Sequence, residues 1–229
     1  MSVDTELILY YVVFVLISVF PNILIQKDKR RMRMKHNGRL KVKFDFSFFA
    51  VVAFMIFVDT SGAAVLSLIA CILHEGGHLL AMSVCGAYPE RITFYGGGIA
   101  LSKAGMDSLS DAKRLVILSA GCAVNLLAAS VYLTMPGNDT VAVFSAVNLI
   151  ICLFNALPIG YFDGAGILEI LLSKFLSLRV AEKVKRVIGV MLSVVMIAGV
   201  IMYCISCNKS VSLSLIFVVF YLMLAQFIG

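Results

Sequence analysis

Two histidines, a glutamate and an aspartate are the residues whose types and spacing could do chemistry in this sequence. His74-Glu75-Gly76-Gly77-His78 is an HExxH segment. On a helix, residues i and i+4 share a face, so both imidazoles can meet one zinc ion at about 2.0–2.1 Å each. Glu75 lies one step round the helix and suits a general base that takes a proton from an attacking water. A catalytic zinc takes three protein ligands. The candidate for the third is Asp163, in Asn155-Ala156-Leu157-Pro158-Ile159-Gly160-Tyr161-Phe162-Asp163-Gly164. Pro158 and Gly160 are expected to break the helix there. The alternative at Asp163 is an ordinary helix end turning at Asp163-Gly164.

These residues must be positioned by apolar elements. The 229 residues are 61% hydrophobic and 14% charged, against about 45–50% and 25% in a soluble domain. The mean hydropathy is +1.02. This excludes a disordered chain, a disulfide-rich secreted miniprotein and an ordinary soluble enzyme. It predicts an all-α polytopic membrane protein with about six or seven transmembrane helices. Seven segments are apolar enough: 7–25, 44–59, 62–84, 111–134, 141–160, 187–206 and 211–228. The 44–59 and 62–84 segments read as a hairpin turning at Asp59-Thr60-Ser61-Gly62. Three divisions follow: an N-terminal helix and basic loop over 1–43, a core over 44–175 and a C-terminal helix pair over 176–229.

Placing His74, Glu75 and His78 inside a span is costly, at about 2.5–3.5 kcal/mol per charged group on insertion scales. Such groups persist when they pair, bind a metal or face water. The bland alternative is a chance HExxH whose histidines hydrogen-bond between helices. Gly76 and Gly77 each cost about 0.8–1.0 kcal/mol of helix propensity. Their expected return is close approach of a neighbouring helix, which small residues permit.

Charge sets the orientation. The first span has Asp4 and Glu6 before it and no small-x-small cleavage site after it, so it is not read as a cleaved signal peptide. Nine of the 19 Lys and Arg lie in the stretch from Lys27 to Lys43. Cytoplasmic loops collect such charge, which places this loop inside and the N-terminus outside. Walking the spans then puts 18 basic residues inside and Lys209 alone outside. Together with the small size, this points to a bacterial inner membrane with the site toward the cytoplasmic side. The basic loop also suits anionic lipid. No aromatic stacking platform accompanies it, so nucleic acid is not expected as a partner. Cys204 and Cys207 form a CxxC at a helix end; with no second pair and no nearby His it is a weak signal for a redox or metal role, and an incidental pair is the favoured alternative.

The paired motifs, HExxH at His74–His78 and Asn-x-x-Pro-x-x-x-x-Asp-Gly from Asn155 to Gly164, resemble the site-2 protease family of intramembrane zinc metalloproteases. In arrangement they are most similar to the branch that includes the bacterial sporulation-factor-processing protease. The resemblance covers roughly residues 44–175. Ile92-Thr93-Phe94-Tyr95-Gly96-Gly97-Gly98-Ile99-Ala100-Leu101 resembles the family's membrane-associated β-loop, expected near 88–102. Ser119-Ala120-Gly121-Cys122-Ala123-Val124-Asn125 resembles its Gly-Pro-x-x-Asn segment, with Cys122 in place of Pro. Ala165 stands where a second Gly commonly follows Asp-Gly.

The resemblance implies Zn2+ held by His74, His78 and Asp163, with Glu75 as base. It implies that Asn155 and Asn125 order the site or hold substrate backbone. Tyr95, Gly96, Gly97 and Gly98 would meet a substrate that is a transmembrane protein; the alternative for 92–101 is a structural re-entrant hairpin. The chain stops at Gly229 just after a span, so the family's C-terminal nucleotide-sensing module is not expected. Spans 7–25, 187–206 and 211–228 are left to gate the site or hold a regulatory membrane partner. A second class of function competes: a non-enzymatic metal-binding transporter or scaffold, in which Glu75 would itself ligate or carry a cation.

Overall fold

The structure, a computed structural model, describes residues 41–59, 62–89, 91–95, 98–101, 106–160 and 162–206. The 7–25 and 211–228 segments, most of the basic loop, Gly96, Gly97 and Cys207 lie outside the described residues. In chain order the elements are β1 (Lys41–Phe44), α1 (Phe46–Val58), α2 (Ala63–Cys85), β2 (Arg91–Tyr95), β3 (Gly98–Leu101), α3 (Asp111–Ala129), α4 (Asp139–Ala156), α5 (Asp163–Ser173) and α6 (Leu178–Ser206). A short 3-10 turn extends α3 through Leu133.

Three helices among the described residues are long and apolar enough to cross a membrane: Ala63–Cys85, Asp111–Leu133 and Asp139–Ala156. They pack together as the core, with α3 against both α2 and α4. The buried stripe of α2 is Ala63, Ser67, Ala70, His74, Gly77, His78, Ala81, Met82 and Cys85. These recur at helical spacing and most are small, so neighbouring backbones approach closely. The opposite face of α2 exposes Val65, Ile69, Ile72, Leu80 and Val84. That apolar surface is what a bilayer, not water, solvates.

The ends of α2 are set locally. Gly62 enters it at φ 78°, and Asp59 Oδ2 accepts from Ala64 N at 2.7 Å. Gly86 closes it at φ 78°, with its N–H turned back to the last carbonyls, the usual left-handed glycine cap. Lys113 Nζ donates to Cys85 O at 3.0 Å, tying that end to the start of α3.

Several sequence expectations change here. The 44–59 segment is a 13-residue helix, about 20 Å long at 1.5 Å per residue, which is short of a hydrocarbon core about 30 Å thick. The 161–186 segment, read as a cytoplasmic loop, contains α5 and the first turns of α6. At 11 residues, α5 is too short to register as a span, and the cations at the start of α6 hide its helical character in a hydropathy window.

The fold is mostly helical but not all-α. A three-stranded sheet has the order β1-β2-β3. β1 pairs with β2 in parallel, and β2 pairs with β3 antiparallel, with Tyr95 opposite Gly98. Lys41–Phe44, read as the end of the basic loop and the first residue of the 44–59 segment, is thus an edge strand. Phe44 stacks on Phe94 at 4.5 Å between ring centroids. Ile92 packs against Leu79, which seats the sheet on α2 one residue beyond His78.

Candidate metal centre

α2 supplies His74 and His78, and α5 supplies Asp163. All three are at least nine-tenths buried. Asp163 reaches them because the chain breaks between α4 and α5. The residue before Pro158 is disfavoured in helical geometry, and Leu157 is extended at φ −68°, ψ 137°. Gly160 then turns at φ 54°, and Asp163 opens α5. A carboxylate suits that place, where the helix dipole is positive. Asp163 therefore heads a separate helix rather than ending the fifth span. Its neighbour has no room for a side chain: a Cβ on Gly164 would lie 2.1 Å from Ala156 O.

His78 Nε2 lies 2.9 Å from Asp163 Oδ2, and His74 Nε2 lies 3.2 Å from the same oxygen. The two Nε2 atoms are 3.2 Å apart. Tetrahedral ligands at zinc–nitrogen distances of 2.0–2.1 Å are separated by about 3.3 Å, so the triangle has the size of one face of such a centre. The outer nitrogens agree. His78 Nδ1 is 2.7 Å from Ile117 O, and a carbonyl only accepts, so Nδ1 carries the proton. His74 Nδ1 is 2.7 Å from Asn125 Oδ1. With both Nδ1 atoms donating, both Nε2 lone pairs converge with a carboxylate oxygen. Three acceptors so arranged can share one cation. The residues present fit a zinc ion, and they are the metal-competent group found among the described residues.

The two glycines of the motif divide. A Cβ on Gly77 would lie 2.7 Å from Ala120 O, whereas Gly76 faces open space. Only Gly77 serves the close approach of α3. Gly121 on α3 comes closest to the ligands, since its Cβ would lie 2.6 Å from His78 Nε2 and 2.8 Å from His74 Nε2. Sequence reasoning quoted Gly121 but gave it no role.

Among the other expected site residues, Asn125 sits in the centre and is fully buried. Glu75 is half-buried beside His74 in the chain and is not part of the His74–His78–Asp163 group. Asn155 is buried, and its amide donates to Ile151 O at 3.0 Å. Tyr95 and Gly98 pair across the β2–β3 ladder. One residue was missed. Asn148 accepts from Asn125 Nδ2 at 2.8 Å. A signal existed for it: Asn148 and Asn155 are seven apart in an apolar helix and share its buried face.

The described core is thus a set of apolar, membrane-length helices with a His-His-Asp group between them. Among solved structures, the chain is similar to the site-2 protease from Methanocaldococcus jannaschii. The TM-score is 0.55 at 20% identity, over 85% of this chain and 93% of that one. At that identity the likeness establishes the shared fold. No protein-family model matches the sequence, and no curated protein matches it.

Proposed function

We propose that the protein is an intramembrane zinc metalloprotease that hydrolyses peptide bonds in or near transmembrane segments of membrane proteins. The observation that carries this reading is the convergence of His74 Nε2, His78 Nε2 and Asp163 Oδ2 within 3.2 Å of one another, beside Glu75, in a fold shared with a site-2 protease. Zinc held there would act as a Lewis acid, lowering the pKa of a water toward about 7 and polarising a carbonyl.

The chain's own residues do the rest. Glu75 takes the proton from the attacking water and returns it to the leaving amine. Ile117 O and Asn125 hold the imidazoles so that Nε2, not Nδ1, faces the metal. The apolar packing of α2, α3 and α4 keeps bulk water out. A helical substrate must unwind to offer its carbonyls, and an extended one can add as a strand to the sheet edge. Ile92 on Leu79 sets that sheet next to the HExxH helix, which supports this route, with Tyr95, Gly96, Gly97 and Gly98 close by in sequence. We read the sheet as membrane-associated and the site as facing the cytoplasmic side of a bacterial inner membrane, with the basic stretch on anionic lipid. The order of the motifs favours the branch of the sporulation-factor-processing protease.

The competing transporter reading has Glu75 ligate or carry a cation, with metal flux and no peptide cleavage. Glu75 stands outside the His74–His78–Asp163 group, which supports the base role over the ligand role. The test is cleavage of membrane-helix substrates by purified wild type and Glu75→Gln, with zinc measured on both. Zinc near one per chain in both, with cleavage only by wild type, is the expected result. Equal cleavage by both would overturn the role of Glu75.

A further inference from the structure

We propose that Asn148 is a positioning residue for the metal centre. It acts through Asn125 to fix which nitrogen of His74 faces the metal, and the proposal rests on the metal-site reading above. The argument begins from two groups that can only accept. Asn148 Nδ2 donates to Phe144 O at 2.8 Å, one turn back in its own helix. Its Oδ1 is thereby turned toward α3 as an acceptor. Asn125 Nδ2 meets that oxygen at 2.8 Å and meets Ala70 O at 3.1 Å.

Both amide protons of Asn125 are therefore committed, one to α4 and one to α2. Its Oδ1 must then point the other way, to His74 Nδ1 at 2.7 Å. An amide oxygen only accepts, so His74 carries its proton on Nδ1 and presents the Nε2 lone pair to Asp163 and His78. Asn125 and Asn148 are both fully buried. No water competes for these bonds, and a partly satisfied buried network is costly. Without Asn148, one amide proton of Asn125 loses its partner and the amide is no longer held from both sides. The chain Phe144 O, Asn148, Asn125, His74 thus links three helices to one ligand.

The test is cobalt titration of the purified full-length protein in detergent, read by the visible absorption of bound Co(II), with zinc affinity obtained by competition. Asn148→Leu is expected to weaken cobalt about tenfold, the lower end for loss of an outer-shell partner. In an Asn125→Leu background the same substitution is expected to change the affinity by less than about twofold, because the path to His74 is already cut. Asn148→Asp keeps an acceptor toward Asn125 and is expected to stay within about twofold of wild type. It also carries the test if Asn148→Leu does not fold. Then the proposal requires Asn148→Asp to bind cobalt like wild type and Asn148→Ser, too short to reach, to bind about tenfold more weakly.

Ser145→Ala is the control. Ser145 is buried one turn away with a hydroxyl that has no hydrogen-bond partner, so its loss should leave cobalt binding unchanged. Equal weakening by Asn148→Leu in both backgrounds, or weakening by Ser145→Ala of the same size, would mark a structural effect and overturn the proposal. Wild-type affinity in Asn148→Leu would overturn it as well. Absence of cobalt binding by wild type would instead remove the metal-site reading itself.

Discussion

Gly121 lies against His78 so closely that a single added carbon would occupy the metal-facing side of the imidazole, 2.6 Å from Nε2. The close approach of α3 to α2 is what lets two histidines and an aspartate share one point. Substituting Gly121 by Ala is expected to weaken zinc about 5- to 150-fold, the equivalent of an overpacking cost of about 1–3 kcal/mol. The helices should stay folded, because the surrounding contacts of α2 and α3 are untouched. Zinc affinity and circular dichroism measured on the same sample check both halves.

Gly76 and Gly77 should respond in opposite directions. Ala at 76 meets nothing within 4 Å and removes a helix penalty of about 1 kcal/mol, so thermal stability in detergent should hold or rise. Ala at 77 drives a methyl toward Ala120 O and should cost about 1–3 kcal/mol. Equal melting temperatures for the two variants would contradict this packing.

Gly164→Ala is expected to abolish zinc retention through dialysis and, with it, cleavage. Its Cβ would collide with Ala156 O, so the start of α5 must move, and Asp163 moves with it. Overpacking of this kind costs about 1–3 kcal/mol or more. Metal analysis of the purified variant beside wild type decides the matter.

Much of the site was legible because its signals are local. The HExxH spacing fixes the face shared by His74 and His78 without any tertiary knowledge. Pro158 and Gly160 announce the break that frees Asp163 from the preceding helix. What the sequence hid depends on distant pairing. The alternation of Lys41, Val42, Lys43 and Phe44 has strand period, but its partner Arg91–Phe94 is some 50 residues away. In between lies a parallel crossover that no local pattern announces. Asn148 was passed over for a related reason: a polar residue in an apolar helix shows its role only once Asn125 is seen opposite.

Removing the metal should stop cleavage without unfolding the core. His78 is anchored on Ile117 O and His74 on Asn125, and Gly77 packs on Ala120, all independently of an ion. A chelator is therefore expected to abolish activity while leaving helical circular dichroism unchanged, with activity restored by added zinc. Loss of helicity on chelation would mean that the ion, not the packing, holds these helices together.

The ligand set itself is open to X-ray absorption at the zinc edge of the purified wild-type protein. Two imidazoles and oxygen at about 2.0–2.2 Å, with no sulfur shell near 2.3 Å, is the predicted spectrum, lost in Asp163→Ala. A protein purified without zinc and unable to take it up, or a spectrum dominated by sulfur, would contradict a centre built on His74, His78 and Asp163.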